Sequence, residues 1–185
     1  MWKDEEYKTV LIDGKPAVEI LFEVAIPGTG YSWTGIIDRI VEDSFGVWHP
    51  MDHKTTKKYL NAKYISSYDL NSQSNSYPWA LQQLFPDKKI GGLIIDAMQL
   101  QVNKTHYLRC EIPRSRSQLD EWLENTKLHL RTYEHYAHVG TYPMNSLGCE
   151  MCLFSRVCAA QPEHRAEILR DEYTSRKQRE QSNAA

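Results

Sequence analysis

Residues 34–55, which read TGIIDRIVEDSFGVWHPMDHKT, carry the pattern of a β-hairpin. A β-branched run over residues 34–41 is followed by a short turn and by a second strand-like run over 47–55. A three-residue hairpin loop commonly ends in a glycine in the left-handed conformation, and Gly46 supplies that residue. The sequence therefore predicts two antiparallel strands joined by a tight turn.

This hairpin is expected to bring two carboxylates and a lysine to one face of a sheet. If the loop comprises residues 44–46, Asp38 lies directly opposite Asp52. Directly opposed side chains have Cβ atoms about 4.5–5.5 Å apart and share a face. Because side chains alternate along a strand, Lys54 joins that face and His53 points away from it.

Such a grouping is typical of metal-assisted phosphodiester hydrolysis. Two adjacent carboxylates repel each other unless a cation lies between them, so Asp38 and Asp52 are candidate ligands for Mg²⁺ or Mn²⁺. The backbone carbonyl of His53 is a candidate third ligand, and Lys54 is suited to polarise a phosphate or a nucleophilic water. The alternative is a surface hairpin with scattered charges, since a one-residue slip would move Asp52 to the other face.

The motifs G-I-I-D at 35–38 and M-D-H-K-T-T at 51–56 resemble the two signature strands of the PD-(D/E)XK nuclease superfamily, in its RecB-like branch. That branch includes helicase-linked (AddB-like) exonucleases, CRISPR-adaptation exonucleases and many phage nucleases. The resemblance implies a restriction-endonuclease-like α/β fold, with a mixed β-sheet flanked by helices. It also implies that Asp38 is the first metal-binding acid and that Asp52 and Lys54 form the (D/E)-x-K pair.

A helix is predicted over residues 69–85, where Gln73 and Tyr77 are four residues apart and share one face. On periodicity alone Tyr77 is typical of a core residue. RecB-like nucleases carry a Q-x-x-x-Y pattern on the helix after the D-x-K strand. The resemblance therefore adds Gln73 and Tyr77 to the catalytic residues, where they would position Lys54 or the DNA. Pro78 predicts a kink or a restart of this helix.

A basic segment follows the hairpin. Residues 54–64 contain four lysines and no acid, at positions 54, 57, 58 and 63. A nucleic-acid backbone would be attracted to such a segment, so Lys57 and Lys58 are candidate nucleic-acid-binding residues. A solvated polar face is the alternative interpretation for each lysine.

Three cysteines near the C-terminus, Cys149, Cys152 and Cys158, form a C-x2-C-x5-C pattern. Zinc takes four nitrogen or sulfur ligands and an iron–sulfur cluster takes four thiolates, so either group needs one more ligand. The spacing does not choose between them. Iron–sulfur members of the RecB-like branch carry this spacing after the nuclease core, so the resemblance favours a 4Fe–4S cluster. The one other cysteine is Cys110, which falls in a predicted strand.

The remaining elements complete an α/β pattern. A hairpin with a turn at Asp13-Gly14 is predicted within residues 8–26, and strands are predicted over 90–101 and 106–112. The first of these two strands is expected to be central and then to become an edge. The predicted helix over 117–138 begins with a capping box of Ser117 and Asp120, and a charged helix is predicted over 162–181. These elements suggest a nuclease core over residues 1–140 and a cysteine-bound lobe with the charged helix over 141–185.

The N-terminus departs from the RecB-like pattern. Only a few residues precede the first predicted strand, too few for the helix that carries a further ligand in those relatives. The upstream cysteine of the iron–sulfur members is also missing. We therefore expect a fragment of a longer nuclease, with the activity of this chain alone in question.

Composition excludes several other classes of protein. The 185 residues are 41% hydrophobic and 25% charged, which is ordinary for a globular domain. There is no apolar run of about 18 residues and the polar start MWKDEEYK is unlike a secretory signal, so a cytoplasmic protein without membrane contact is expected. A net charge of −2 argues against general coating of nucleic acid but allows a local basic track.

The expected function is a metal-dependent exonuclease that hydrolyses single-stranded DNA from its ends. Its expected protein partners are a helicase or another recombination or CRISPR protein. One alternative is a catalytically impaired, nuclease-derived DNA-binding or scaffold module with a structural iron–sulfur or zinc site. An unrelated zinc-binding interaction domain is the third possibility.

Overall fold

The computed structural model describes residues 6–102, 104–143 and 146–174. The strands are β1 (Lys8–Thr9), β2 (Leu11–Ile12), β3 (Lys15–Pro16), β4 (Val18–Ala25), β5 (Ser32–Glu42), β6 (Trp48–Thr56), β7 (Leu93–Leu100) and β8 (Thr105–Ile112). The helices are α1 (Ala62–Ser66), α2 (Ser72–Leu84), α3 (Arg116–Val139), α4 (Ser155–Ala159) and α5 (Arg165–Glu172). Short 3-10 helices cover Ser146–Met151 and Pro162–His164.

One mixed sheet organises the larger part of the chain. Its strands run in the order β1-β5-β6-β7-β8, and β4 also pairs with β5. All neighbours are antiparallel except β6 and β7, which are parallel and are connected through α1 and α2. The predicted α/β class, a mixed sheet flanked by helices, is confirmed. Strand β7 pairs with β6 over residues 94–99 and with β8 over residues 93–100, so the expectation that it becomes an edge was wrong.

The central hairpin has the predicted register and turn. Arg39 pairs with Met51 and Val41 with His49, so paired positions have the spacing expected for a loop of residues 44–46. Gly46 has a φ of 73°, in the left-handed region. Asp43 closes the turn, because its side-chain Oδ1 accepts hydrogen bonds from the backbone N–H groups of Phe45 (2.8 Å) and Val47 (2.9 Å). The register that places Asp52 on the face of Asp38 is therefore fixed locally, by the turn.

The hydrophobic core lies between the sheet and helices α2 and α3. Helix α2 contributes Tyr77, Ala80 and Leu81, and the first half of α3 packs Trp122 and Leu123 against the same cluster. The buried strand residues include Trp48, Leu93 and Ile95. Burying one such large apolar side chain contributes about 1.5–3 kcal/mol, so this packing fixes the position of α2 over β6.

Two helix starts differ from the sequence-based prediction. Helix α2 begins at Ser72, because the side chain of Asn71 accepts a hydrogen bond from the N–H of Gln73. Pro78 lies within it without a break. The short helix α1 was not predicted, since its five residues give too little periodicity.

The predicted capping box of α3 was also wrong. Ser115 and Gln118 make that reciprocal contact, with the Ser115 N–H donating to Gln118 Oε1 (2.9 Å) and the Gln118 N–H donating to Ser115 Oγ (3.3 Å). The helix begins at Arg116, one residue earlier than expected, and Asp120 instead pairs with Arg116.

The chain divides into two compact units, residues 1–134 and 135–185. In the second unit Phe154 stacks on Tyr173 with ring centroids 5.0 Å apart, and Arg156 pairs with Glu172 at 2.7 Å. Residues 162–164 form a 3-10 helix and α5 ends at Glu172 with an extended Tyr173, so the prediction of one helix over 162–181 was wrong in its bounds. Residues 175–181 lie outside the described residues. None of the described helices combines the length and the apolar character needed to cross a membrane.

Candidate active site

The two acidic residues of the hairpin lie where its two strands stop pairing. The ladder between β5 and β6 ends at Arg39 and Met51, one position before Asp38 and Asp52. Asp38 Oδ2 there accepts a hydrogen bond of 2.8 Å from the backbone N–H of His53. The Asp38 carboxylate thus holds the backbone of β6 one residue after Asp52.

Lys54 links the hairpin to α2. Its Nζ lies 2.6 Å from Asp52 Oδ2 and donates a hydrogen bond of 3.2 Å to Gln73 Oε1. Gln73 Nε2 in turn donates to Tyr77 Oη at 3.1 Å. The period of two along β6 and the four-residue spacing on α2 bring these four side chains together. The resulting row of contacts runs from Asp52 through Lys54 and Gln73 to Tyr77.

Asp52 is the most buried member of this row, with 2% of its surface exposed. Burial raises the pKa of its carboxyl above the ordinary value, although the hydrogen bonding and charge of Lys54 lower it. Asp52 Oδ2 is buried, and apart from the Lys54 ammonium at 2.6 Å it receives no hydrogen bond from any residue that the structure describes. A carboxylate oxygen has two lone pairs, so this oxygen retains the capacity to bind a cation beside the ammonium.

The donors present fit a hard divalent cation. Mg²⁺ is commonly held by one or two carboxylates and keeps several waters or substrate phosphate oxygens. Asp38 and Asp52 supply two carboxylates on adjacent strands, and among the described residues the buried Oδ2 of Asp52 has no donor other than Lys54. Among the described residues no group of three His, Cys, Asp or Glu side chains converges, so water and substrate would complete the coordination.

The glycine of the G-I-I-D motif has a packing role behind this site. A Cβ atom on Gly35 would lie 2.7 Å from the ring of Phe22, its partner across β4 and β5. Phe22 packs edge-on against Tyr77 with ring centroids 6.0 Å apart. The absence of a side chain at Gly35 therefore lets Phe22 support the Tyr77 end of the row.

His53 lies on the other face of the sheet, away from Lys54. Its Nδ1 is 3.1 Å from Asp96 Oδ2 on the neighbouring strand β7. Asp96 also receives two hydrogen bonds of 3.1 Å from the Arg109 guanidinium on β8. This network of polar contacts joins three adjacent strands and was not predicted, because its members are distant in sequence.

The basic segment borders a cleft of about 660 Å³ beside Lys54. Lys58 lines this cleft, whereas Lys57 is exposed and does not. Sequence reasoning identified the lysines here but missed three tyrosines that also line the cleft, at positions 59, 64 and 68. The signal that would have found them is the alternation of aromatic and basic residues over 57–68.

The three C-terminal cysteines lie in successive turns of the second unit. Cys149 is in the 3-10 helix Ser146–Met151, Cys158 is in α4, and all three side chains are exposed. The Cys149 carbonyl accepts from the N–H of Cys152 at 3.2 Å. No zinc or iron–sulfur ligand set is assembled within the described residues, and three thiolates are one ligand short of either group.

Comparison with known proteins places these motifs in context. A model of the PD-(D/E)XK nuclease superfamily matches residues 4–159. None of the curated proteins matches the sequence.

Two solved structures are similar to the chain. The crystal structure of SSO0001 is 17% identical, with a TM-score of 0.42, over 83% of this chain and 60% of that one. The crystal structure of a protein from Eubacterium rectale named "Putative exonuclease" is 16% identical, with a TM-score of 0.52, over 78% of this chain and 52% of that one. This chain thus spans 60% and 52% of the lengths of those two proteins.

Proposed function

The chain belongs to the PD-(D/E)XK nuclease superfamily, and from this premise we propose that it is a metal-dependent exonuclease that hydrolyses single-stranded DNA from its ends. The RecB-like branch is part of the proposal, supported by the Q-x-x-x-Y pattern of Gln73 and Tyr77 on α2. The name of the similar Eubacterium rectale structure supports the exonuclease activity. A helicase or another recombination or CRISPR protein is the proposed class of partner.

The observation that carries this proposal is the position of Lys54 between Asp52 and Gln73. An ammonium group held by both an acid and a neutral amide has a fixed position and keeps a hydrogen-bonding capacity for a third group. Phosphodiester hydrolysis requires positive charge at this position, because the phosphate becomes more negative in the transition state.

The proposed roles follow from these contacts. Asp38 and Asp52 would hold Mg²⁺ or Mn²⁺, with the His53 carbonyl as a further ligand, and the bound ion would supply Lewis-acid activation of the phosphate and of the attacking water. Lys54 orients that water and stabilises charge on the phosphate oxygens. Gln73 holds the Lys54 ammonium in place through its carbonyl oxygen, and Tyr77 fixes the amide of Gln73. Lys57 and Lys58 are the proposed contacts with the DNA backbone.

A comparison of linear and circular substrates tests the proposed reaction. With Mg²⁺, the wild-type chain should release nucleotides from a linear, end-labelled single strand and leave a circular single strand of the same sequence intact. Chelation of the metal by EDTA should stop release, since the two carboxylates alone provide no Lewis acid. Product lengths on a denaturing gel measure both effects.

Cleavage of the circular strand would contradict the exonuclease proposal while retaining nuclease activity. Retention of DNA without cleavage would instead favour the nuclease-derived binding module.

A cluster site formed by Cys149, Cys152 and Cys158 is the second part of the proposal, supported by their C-x2-C-x5-C spacing. In this proposal residues 1–140 are the nuclease core and 141–185 form the cysteine-bound lobe. A 4Fe–4S cluster is preferred and zinc is the alternative, and either group would need a fourth ligand beside the three cysteines. We expect anaerobically purified protein to contain iron and sulfide, whereas zinc alone or no metal would contradict the cluster. Metal analysis and visible absorption distinguish these results.

A further inference from the structure

The cleft beside Lys54 combines positive charge with aromatic rings. It lies between the end of β6 and α1, and the side chains that matter for its chemistry are Lys54, Lys58, Lys63, Tyr59, Tyr64 and Tyr68. No Asp or Glu is among its lining residues. Its charge therefore favours a polyanion, and its tyrosines offer flat surfaces for a planar group.

The wall of the cleft is held in place by hydrogen bonds. Tyr64 Oη and Tyr68 Oη are 3.1 Å apart, and Asn61 Oδ1 accepts from the Tyr64 N–H at 3.0 Å at the start of α1. The Arg114 guanidinium donates to the Tyr68 carbonyl at 3.1 Å and to Asn75 Oδ1 on α2 at 2.9 Å. These contacts tie the segment after β6 to the helix that carries Gln73, so the cleft is preformed beside the candidate active site.

Tyr59 differs from the other two tyrosines in its exposure. Tyr68 is buried, whereas Tyr59 is 72% exposed on the lining of the cleft. An exposed aromatic ring next to a lysine is the arrangement by which proteins stack unpaired bases while holding the adjacent phosphate. In a duplex both faces of a base are covered by its neighbours, so an unpaired base stacks on such a ring most readily.

We propose that this cleft binds single-stranded nucleic acid, with a base stacked on Tyr59 and phosphates at Lys58 and Lys63, so that the strand leads to Lys54. The inference rests on the proposed nuclease function and adds to it the residue that selects an unpaired strand. Lys58 and Lys63 lie on the lining of the same cleft as Lys54, so all three can attract the phosphates of one strand.

Binding without cleavage tests the inference separately from catalysis. Fluorescein-labelled oligo-dT is titrated in EDTA with the wild type, Tyr59→Ala, Tyr59→Phe and the matched control Phe45→Ala. Phe45 is 87% exposed in the turn of the central hairpin and does not line the cleft. We expect Tyr59→Ala to weaken binding by at least about fivefold, the lower end for loss of one base–aromatic stack. Tyr59→Phe and Phe45→Ala should bind as the wild type does.

Two further measurements complete the test. A duplex of the same length should bind Tyr59→Ala and the wild type equally, and Lys58→Gln with Lys63→Gln should flatten the dependence of oligo-dT affinity on salt. If Tyr59→Ala binds oligo-dT as tightly as Phe45→Ala, or loses duplex and single-strand affinity equally, the inference is overturned. A wild type that binds in this manner but cleaves nothing with Mg²⁺ would contradict the proposed nuclease function alone.

Discussion

Asp52→Asn should abolish Mg²⁺-dependent cleavage, lowering the cleavage rate by about 10³-fold or more. The asparagine keeps the shape of the side chain but removes the charge that the cation requires, and Lewis-acid stabilisation of the transition state is worth several kcal/mol. Asp52 is the buried carboxylate of the site, and among the described residues its Oδ2 has no hydrogen-bond donor other than Lys54. Single-turnover cleavage of an end-labelled strand measures the effect.

The control for Asp52→Asn is Asp120→Asn on α3. Asp120 is an exposed carboxylate that pairs with Arg116, so its replacement should leave cleavage at the wild-type rate. Retention of more than about a tenth of the wild-type rate by Asp52→Asn would mean that this side chain is not a metal ligand, since each tenfold corresponds to only about 1.4 kcal/mol.

Asp52→Asn should also change how the free energy of unfolding of the metal-free protein depends on pH. Because the folded-state pKa of Asp52 is raised above 3.8, the folded protein binds this proton more tightly than the unfolded chain. Binding of this proton by Asp52 favours folding fully below pH 3.8, and this stabilisation is lost as the pH rises through the raised folded-state pKa. Asp52→Asn should therefore gain stability relative to the wild type as pH rises. Urea unfolding in EDTA, from below pH 3.8 to above the raised pKa, measures the difference in the free energy of unfolding between Asp52→Asn and the wild type. A difference that stays constant with pH would contradict the raised pKa of Asp52.

Lys54→Met should lower the cleavage rate by about 10²- to 10³-fold while leaving metal binding intact. Removing one donor aimed at developing negative charge has an effect of this size. Asp52 keeps its carboxylate in this variant, so Mn²⁺ binding, measured by calorimetry, should persist. The matched control is Lys15→Met, an exposed lysine in β3, which should cleave as the wild type does.

Gln73→Leu separates the charge of Lys54 from its positioning. A hydrogen bond to a charged group contributes about 1.5–3 kcal/mol, so loss of the Gln73 carbonyl should slow cleavage by about tenfold or more, and less than Lys54→Met does. The DNA concentration for half-maximal rate should stay unchanged, because Gln73 is not among the residues that line the cleft. A variant as slow as Lys54→Met would indicate that Gln73 does more than hold the ammonium.

The sequence predicted those parts of the site that local geometry controls. The turn closed by Asp43 and Gly46 fixes the register between β5 and β6, and alternation along β6 then places Asp52 and Lys54 on one face. Both the register and the alternation depend only on residues of this one hairpin. The contact of Gln73 with Lys54 joins separate elements, and the family resemblance was needed to anticipate it.

Other features depend on contacts that no local pattern encodes. The network of His53, Asp96 and Arg109 joins three strands whose order follows from the whole sheet. The cleft wall requires Arg114 to reach back to Tyr68, and short α1 has too few residues to show a period. Helix α3 starts one residue earlier than predicted because Gln118, and not Asp120, completes the capping box.

The fit between Gly35 and Phe22 limits how this catalytic row can be transplanted into another scaffold. A design that copies only Asp38, Asp52, Lys54 and the two residues of α2 would omit the ring that supports Tyr77 from below. The smallest unit that could be transferred is therefore β4, β5, β6 and α2, with Gly35 on β5 opposite Phe22 on β4. Alanine in place of Gly35 would bring its Cβ into collision with the Phe22 ring, although every polar residue of the site would remain in place.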